Sequence, residues 1–492
     1  MKLHEVLNET EYGTNLSAET QITALCRDSR KVEKGCAFVC IAGTGVDSHA
    51  FAEQAVAKGA AVIVAERDLG LPQQVLVKNT RLAWAVMCAN WFGRPTERLK
   101  LVGITGTNGK TSTSYLLKAV LEQAGYQVGL IGTIQNMIGD RVVETAHTTP
   151  DSYELQQLFY EMAEAGCDYA VMEVSSHALD QERVAGCRFE AGIFTNLTQD
   201  HLDYHKTMEQ YAAAKAKLFS RCKTAVLNKD DDWHTAMYND AVGQTVTFSL
   251  QDDSADYTAR NVRCRPDGVD FECVGVGIIG RIRLATPGRF SAYNALAAAA
   301  CASALGISFD TIKTALCGFG LVKGRAEVVP TEQDFTVIID FAHTPDGLEN
   351  ICETLSTCKA GRLVTVFGCG GDRDRTKRPK MGATAARLSD FVVVTSDNPR
   401  SEEPTAIIDD ILEGLRETKT PYTVIPNRID AITWAVENAK TGDTVLLAGK
   451  GHETYQILKD KTIHLDEREV VAAALQSRQK KERQFLSSKN EE

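Results

Sequence analysis

Seven times along this chain a short apolar run breaks off into a cluster of glycine and polar residues: TGTNGKTS, EVSSH, TNLTQDH, DFAHT, GCGGDRD, SDNPR and AGKGHE. The runs themselves are β-branched, as in LVGI (101–104), YAVMEV (169–174) and FVVV (391–394), and longer stretches of helical period lie between many of them. That is βα alternation, and it predicts mostly parallel sheets. Ligands of open α/β sheets bind in the crevice outside the carboxyl ends of the strands. Seven polar clusters in that position therefore predict one or two facing active-site edges.

At 492 residues, and roughly 150 residues per domain, about three domains are expected. The fold class is α/β. A small N-terminal α/β domain (1–98) carries strands at 36–41, 60–65 and 74–77 with a helix over 49–60. A central phosphate-loop domain with a mostly parallel sheet (99–325) follows, with an antiparallel flap expected over 245–284. A Rossmann-like domain (326–492) completes the chain. The net charge of -11 excludes a protein that wraps nucleic acid, whose binders carry a basic face. Fourteen cysteines without a CxxC pair read as small core residues of a reducing cytoplasm, not as a disulfide framework or a zinc cage. The acidic start MKLHEVLNETEYG is no signal peptide, and no window approaches ~18 apolar residues, so a cytoplasmic protein without a membrane span is expected.

After LVGI comes Thr105-Gly106-Thr107-Asn108-Gly109-Lys110-Thr111-Ser112, and then an amphipathic helix ending at glycine. A glycine-rich turn between strand and helix closes backbone N–H groups around phosphate oxygens, and the helix N-terminus adds positive potential. Lys110 is expected to reach the β- and γ-phosphates of ATP and Thr111 to ligate Mg²⁺. The general consensus has glycine where Ile104 stands, so the recognisable core is Gly106-x-x-Gly-Lys-Thr. Phosphates poised for transfer need hard cations, and Glu173 and His201, at the ends of the next two strands, are the candidate ligands.

In order along the chain, TGTNGKTS, EVSSHALDQERV, TNLTQDHLDYH, RFSAYNALAAAA, KGRAE, DFAHTPDGLE, GCGGDRDRTKRPKMG, SDNPRSEEP and GKGHETYQ resemble the Mur ligase family over nearly the whole length. Members of that family use ATP to build the peptide stem of peptidoglycan. The last four segments resemble the branch that adds the third stem residue to UDP-MurNAc-L-Ala-D-Glu. The resemblance implies a carbamylated lysine, made with CO₂, at Lys215 in YAAAKAKLF, holding a second Mg²⁺. It places Asn294, Arg325, Asp340 and His343 near the adenine and ribose of ATP. Arg27, Ser29, Thr44, Gly45 and Val46 match uridine-nucleotide contacts, and His147, Thr148, Thr149, Ser175, Gln181 and Arg183 match those around the MurNAc-dipeptide. His147 stands where some relatives have asparagine, and KGRAE replaces the more usual PGRME. A monomer is expected.

Within Asp397-Asn398-Pro399-Arg400, the arginine suits the second carboxylate of meso-diaminopimelate, which a planar guanidinium grips through two parallel hydrogen bonds. The same guanidinium facing a lysine ammonium would repel it. By resemblance Arg373, Gly449 and Glu453 complete that site. The expected chemistry is an acyl phosphate on the D-Glu side-chain carboxylate, opened by the diaminopimelate amine, with the domains closing around it. The alternatives are a lysine-adding relative, a folylpolyglutamate synthase-like ligase, which lacks the first domain, and a non-catalytic ATP-regulated binding protein.

Overall fold

Among the described residues three large sheets follow one another along the chain, each formed where β-branched runs alternate with helices, with a small hairpin of Tyr455–Ile457 and Thr462–His464 near the end. The computed structural model describes residues 1–43, 45–145, 147–265 and 268–489, with the backbone alone at 358 and 482–489. The first sheet has five strands in the order Tyr12–Thr14, Gln74–Val77, Val62–Ala65, Ala37–Val39, Leu25–Cys26. Only its first pair is antiparallel. The helix expected over 49–60 is split into a 3-10 turn, Ser48–Phe51, and an α-helix, Ala52–Ala57. Asp47 accepts the His49 N–H and tightens the entry into that first turn.

The central sheet has eleven strands. Its first strand in sequence, Lys100–Thr105, lies between Tyr169–Glu173 and Phe189–Phe194, parallel to both. Successive strands then fill opposite sides of it, so the loop after Thr105 opens at a topological switch point, where such sheets bind their ligands. Helix Arg289–Ala304 is nearly all alanine on its buried faces, and these small side chains let it lie close against helix Lys110–Gln123 and the sheet. The antiparallel flap starts later than expected. Strand Gln244–Ser249 returns through helix His234–Asp240 and pairs parallel with Cys222–Asn228, as a helical crossover requires. Tyr257–Arg265 still pairs parallel with Gln244–Ser249; the antiparallel ladders of this region are those it makes with Gly268–Gly275 and that strand makes with Ile278–Leu284, and they extend the same sheet.

The third sheet has six strands in the order Glu327–Val329, Thr336–Asp340, Thr444–Ala448, Leu363–Phe367, Phe391–Val394, Tyr422–Val424, all parallel except the first pair. Its carboxyl ends carry DFAHT, GCGGDRD, SDNPR and AGKGHE. This edge meets the phosphate loop directly. Asn108 Nδ2 donates to Asp346 Oδ2 at 2.6 Å, and Lys377 Nζ lies 3.2 Å from Asp200 Oδ1. Among the cysteines whose side chains are described, all but Cys264 and Cys317 are buried. No described helix is long and apolar enough to cross a membrane.

Candidate active site

The phosphate loop is shaped by two glycines at positive φ, Gly106 (+153°) and Gly109 (+85°). A β-carbon at either would collide, at Gly106 with Thr195 Oγ1 and at Gly109 with Asn294 Oδ1. The next strand end staples the loop in place. Asn196 Oδ1 accepts from Asn108 N at 2.9 Å, Asn196 O from Thr107 N at 2.8 Å, and Asn108 O from Thr195 Oγ1 at 2.6 Å. Lys110 Nζ folds over the loop and donates to Gly106 O and Thr107 O at 2.9 and 2.8 Å. Lys215 Nζ donates to the same Gly106 O at 2.8 Å, above the Tyr211 ring at 4.6 Å. Burial lowers both lysine pKa values, Lys215 furthest, with the Lys110 charge adding to the effect there.

Glu173 is fully buried at the end of its strand, opposite Ile104 in register. It accepts from Thr111 Oγ1 at 3.1 Å, from Thr133 Oγ1 at 2.9 Å and from Thr133 N at 2.9 Å. Arg325 Nη2, from the far side of the cleft, donates to Thr111 Oγ1 at 2.9 Å. His201 sits at φ +55°, a conformation that costs a non-glycine residue and gathers at functional sites. Burial depresses its pKa to about 3 against the pull of Asp200, whose Oδ2 is 3.5 Å away, so the ring is neutral and free to offer a lone pair.

Among the described residues no three His, Cys, Asp or Glu side chains form a ready-made metal cage. The Thr111 hydroxyl and Glu173 carboxylate nevertheless fit Mg²⁺, which takes few protein oxygens and completes its shell from phosphates and water. The nucleotide fits as well. A cavity of about 280 Å³ is lined by Asn108, Gly109, Ser112, Asn294, Arg325 and Asp340, among others. Arg325 Nε and Thr198 Oγ1 are buried on its wall without a hydrogen-bond partner, which is where a polar ligand is missed most. Phe341 backs Arg325 at 4.8 Å. His343 turns away, its Nδ1 on Phe341 O at 2.8 Å and its Nε2 3.7 Å from Asp200.

On the other side of Glu173 the acceptor residues converge. Thr149 Oγ1 donates to Glu173 O at 2.9 Å and accepts from Ser175 N at 3.0 Å, and Arg183 Nη1 donates to Thr149 O at 2.9 Å. Gln181 Oε1 accepts from Arg183, and Thr148 Oγ1 meets Thr133 Oγ1 at 3.1 Å. Arg27, just after the strand Leu25–Cys26, pairs with Asp151 at 3.1 Å and so joins this group. Ser29, Gly45 and Val46 stand apart on the N-terminal domain, Val46 strongly exposed; the His147 side chain is exposed, and Thr44 lies outside the described residues.

In the third sheet Asn398 Nδ2 donates to Glu453 Oε2 at 2.9 Å, while Asn398 Oδ1 accepts from Lys450 Nζ at 3.1 Å. Gly449, at φ +115°, lets its loop pass close to the Asp397 carboxylate. Arg400, at φ +52°, donates to Gly371 O at 2.9 Å. Burial and then the neighbouring Arg373 lower the Arg400 pKa, and Asp397, Glu453 and Asp372 pull against that shift. Pro399 presses its carbonyl against Gly371, where any β-carbon would clash. Four participants escaped the sequence reading: Asp200, Lys377, Thr133 and Tyr211. Asp200 lies inside TNLTQDH and could have been found there, whereas Thr133 is marked only by its distance to Glu173.

A phosphate loop facing the carboxyl edge of a second α/β sheet across a closed cleft defines the nucleotide-dependent acid–amine ligases. Within that class the match is specific: the Mur ligase middle domain matches residues 104–302, the Mur ligase glutamate ligase domain 324–451 and the Mur ligase family catalytic domain 21–83. The chain belongs to the Mur ligase family. It is 47% identical to the UDP-N-acetylmuramoyl-L-alanyl-D-glutamate--2,6-diaminopimelate ligase of Caldanaerobacter subterraneus subsp. tengcongensis, over 98% of this chain and 100% of that one. Its identity with the enzyme of the same name from Clostridium botulinum is 46%, over 96% and 99%. A solved structure of a ligase of that name superimposes with a TM-score of 0.70 at 32% identity, covering 97% of this chain and 99% of that chain.

Proposed function

We propose that the chain joins meso-diaminopimelate to the D-Glu side-chain carboxylate of UDP-MurNAc-L-Ala-D-Glu at the expense of ATP. The observation that carries this reading is the convergence at Thr111 and Glu173 of three groups: the phosphate loop, Arg325 from across the cleft, and the Thr149–Arg183 group leading to Arg27. Residues 1–98 hold the uridine nucleotide, 99–325 the triphosphate and 326–492 the incoming amino acid.

Lys110 leaves the loop carbonyls for the β- and γ-phosphates of ATP, and Arg325 adds charge at the same end. The D-Glu carboxylate attacks the γ-phosphorus, ADP leaves and an acyl phosphate forms. The neutral amine then attacks the acyl carbon, phosphate departs with the bonding pair, and the surplus proton on nitrogen leaves with it as hydrogen phosphate. Thr111, Glu173, His201 and a carbamate on Lys215 would hold Mg²⁺, which would supply charge neutralisation for both steps. Burial supports the carbamate, because the unprotonated amine is the form that adds to CO₂. Arg400 and Arg373 take the distal carboxylate of diaminopimelate, and Glu453 and Asp397 offer oxygens to its ammonium groups. A lysine side chain would set an ammonium against both guanidiniums.

Phosphate release from ATP and Mg²⁺ with the nucleotide-linked dipeptide decides the matter. It is expected with meso-diaminopimelate and not with lysine. The reverse preference overturns the specificity, and release with neither favours a nucleotide-regulated binding protein.

A further inference from the structure

We infer that Arg428 and Glu467 are positioning residues that set the spacing between the two loops of the amino-acid site, Asp397–Arg400 and Gly449–Glu453; the inference rests on the function proposed above. Arg428 opens helix Arg428–Glu437, whose cap is the Asn427 side chain, and Glu467 opens helix Glu467–Lys489. Both side chains are fully buried. A cation at the first residue of a helix faces the positive end of the helix dipole and, when buried, loses its water too. Specific partners must therefore hold it.

Those partners are the two loops. Arg428 Nη2 donates to Ala448 O at 2.9 Å and Nη1 to Ser396 O at 3.4 Å, while Nε and Nη2 meet Glu467 Oε1 at 2.8 and 2.7 Å. Ser396 immediately precedes Asp397, and Ala448 immediately precedes Gly449. The strands that deliver them, Phe391–Val394 and Thr444–Ala448, are not neighbours, because Leu363–Phe367 lies between them. No ladder hydrogen bond joins them directly; each is registered only through Leu363–Phe367, and beyond the strand ends one guanidinium fork ties the two loop starts together from behind. A lysine, with a single nitrogen, cannot span both carbonyls and the carboxylate together.

In front of that clamp the loops touch through the site itself. Asn398 meets Glu453 and Lys450, Lys450 Nζ donates to Glu453 Oε2 at 2.7 Å, and Gln456 Nε2 donates to Asp397 O at 2.6 Å. A shift of one loop along its strand would separate Asp397 and Arg400 from Glu453, the groups that must grip opposite ends of one amino acid. With no exposed surface, Arg428 and Glu467 can act on a substrate only through these loops.

The test compares Arg428→Lys and Glu467→Gln with the parent enzyme, measuring kcat and the three KM values separately. Both variants are expected to raise the KM for diaminopimelate, Arg428→Lys on the order of 10²-fold and Glu467→Gln less, and to narrow the preference over lysine. The KM values for ATP and the nucleotide-linked dipeptide should stay at the parent level. Equal losses toward all three substrates, or no change in folded protein, overturn the inference. Glu467→Gln keeps the shape of the side chain and decides the matter if Arg428→Lys does not fold. A parent enzyme that uses lysine instead refutes the proposed specificity alone, and the same comparison then runs with lysine.

Discussion

Lys215 is a long cationic side chain from which water has been removed, with one backbone carbonyl and an aromatic face for company. Lys217, two residues on, is partly exposed and paired with Asp180 and Glu182 at 3.3 and 3.5 Å. Residues two apart on a helix face different ways, so the sequence YAAAKAK by itself offered two lysines without a choice. Burial separates them: Lys215 is buried, which pushes it toward the neutral amine. Replacing Lys215 by alanine is expected to cut ligation on the order of 10²-fold or more while nucleotide binding persists. Short carboxylates supplied at high concentration should restore part of the rate by standing in for the carbamate oxygens. A variant that ligates at the parent rate would remove the carbamate from the scheme. Other neighbours were legible from their motifs: Thr111 and Glu173, read as lying at adjoining strand ends, are hydrogen-bonded. Thr133 was not, since no local pattern marks a threonine whose importance is its distance from a carboxylate forty residues away.

The element that most repays substitution is the turn between Thr105 and Lys110. Gly109 stands at φ +85°, where an L-residue with a β-carbon costs about 1–2 kcal/mol, and that β-carbon would also strike Asn294. Asn294 lines the nucleotide cavity and accepts from Thr113 at 3.4 Å. Gly109→Ala should therefore weaken ATP binding by tenfold or more, about 1.4 kcal/mol, with the diaminopimelate site untouched. Calorimetric titration with a non-hydrolysable ATP analogue reads the first, and an unchanged affinity would show that the loop tolerates displacement. At this scale the strands were the most legible part, because apolar runs flanked by glycine leave little choice of period. The flap was less so. Strand Gln244–Ser249 alternates like an antiparallel edge, but the helix before it returns the chain in parallel, and strand direction depends on the connection more than on the strand's own residues.

For the whole molecule the deciding contacts are those that tie the phosphate-loop edge to the third sheet. Asp200 is buried between Lys377 at 3.2 Å, His201 at 3.5 Å and His343 at 3.7 Å; burial pushes its carboxyl up, but its polar neighbours, the Lys377 ammonium foremost, outweigh that and hold it well below the usual range. Gln199 adds Thr376 at 2.8 Å, and Asn108 adds Asp346. Removing one member of a buried pair within a single core costs about 3–5 kcal/mol, because the other charge stays dry. Here the pair spans a cleft, so the stranded charge has a cheaper escape: the domains part and water reaches it. Lys377→Met is therefore expected to open the molecule and leave each domain folded, visible as a larger radius of gyration by X-ray scattering and a lower kcat with little change in melting temperature. Pairing it with Asp200→Asn removes the stranded charge and should bring the radius part of the way back, a non-additive result that only a direct partnership produces. A scattering curve for Lys377→Met that overlays the parent's would mean that closure rests on the remaining contacts and that the Asp200–Lys377 pair is incidental to it.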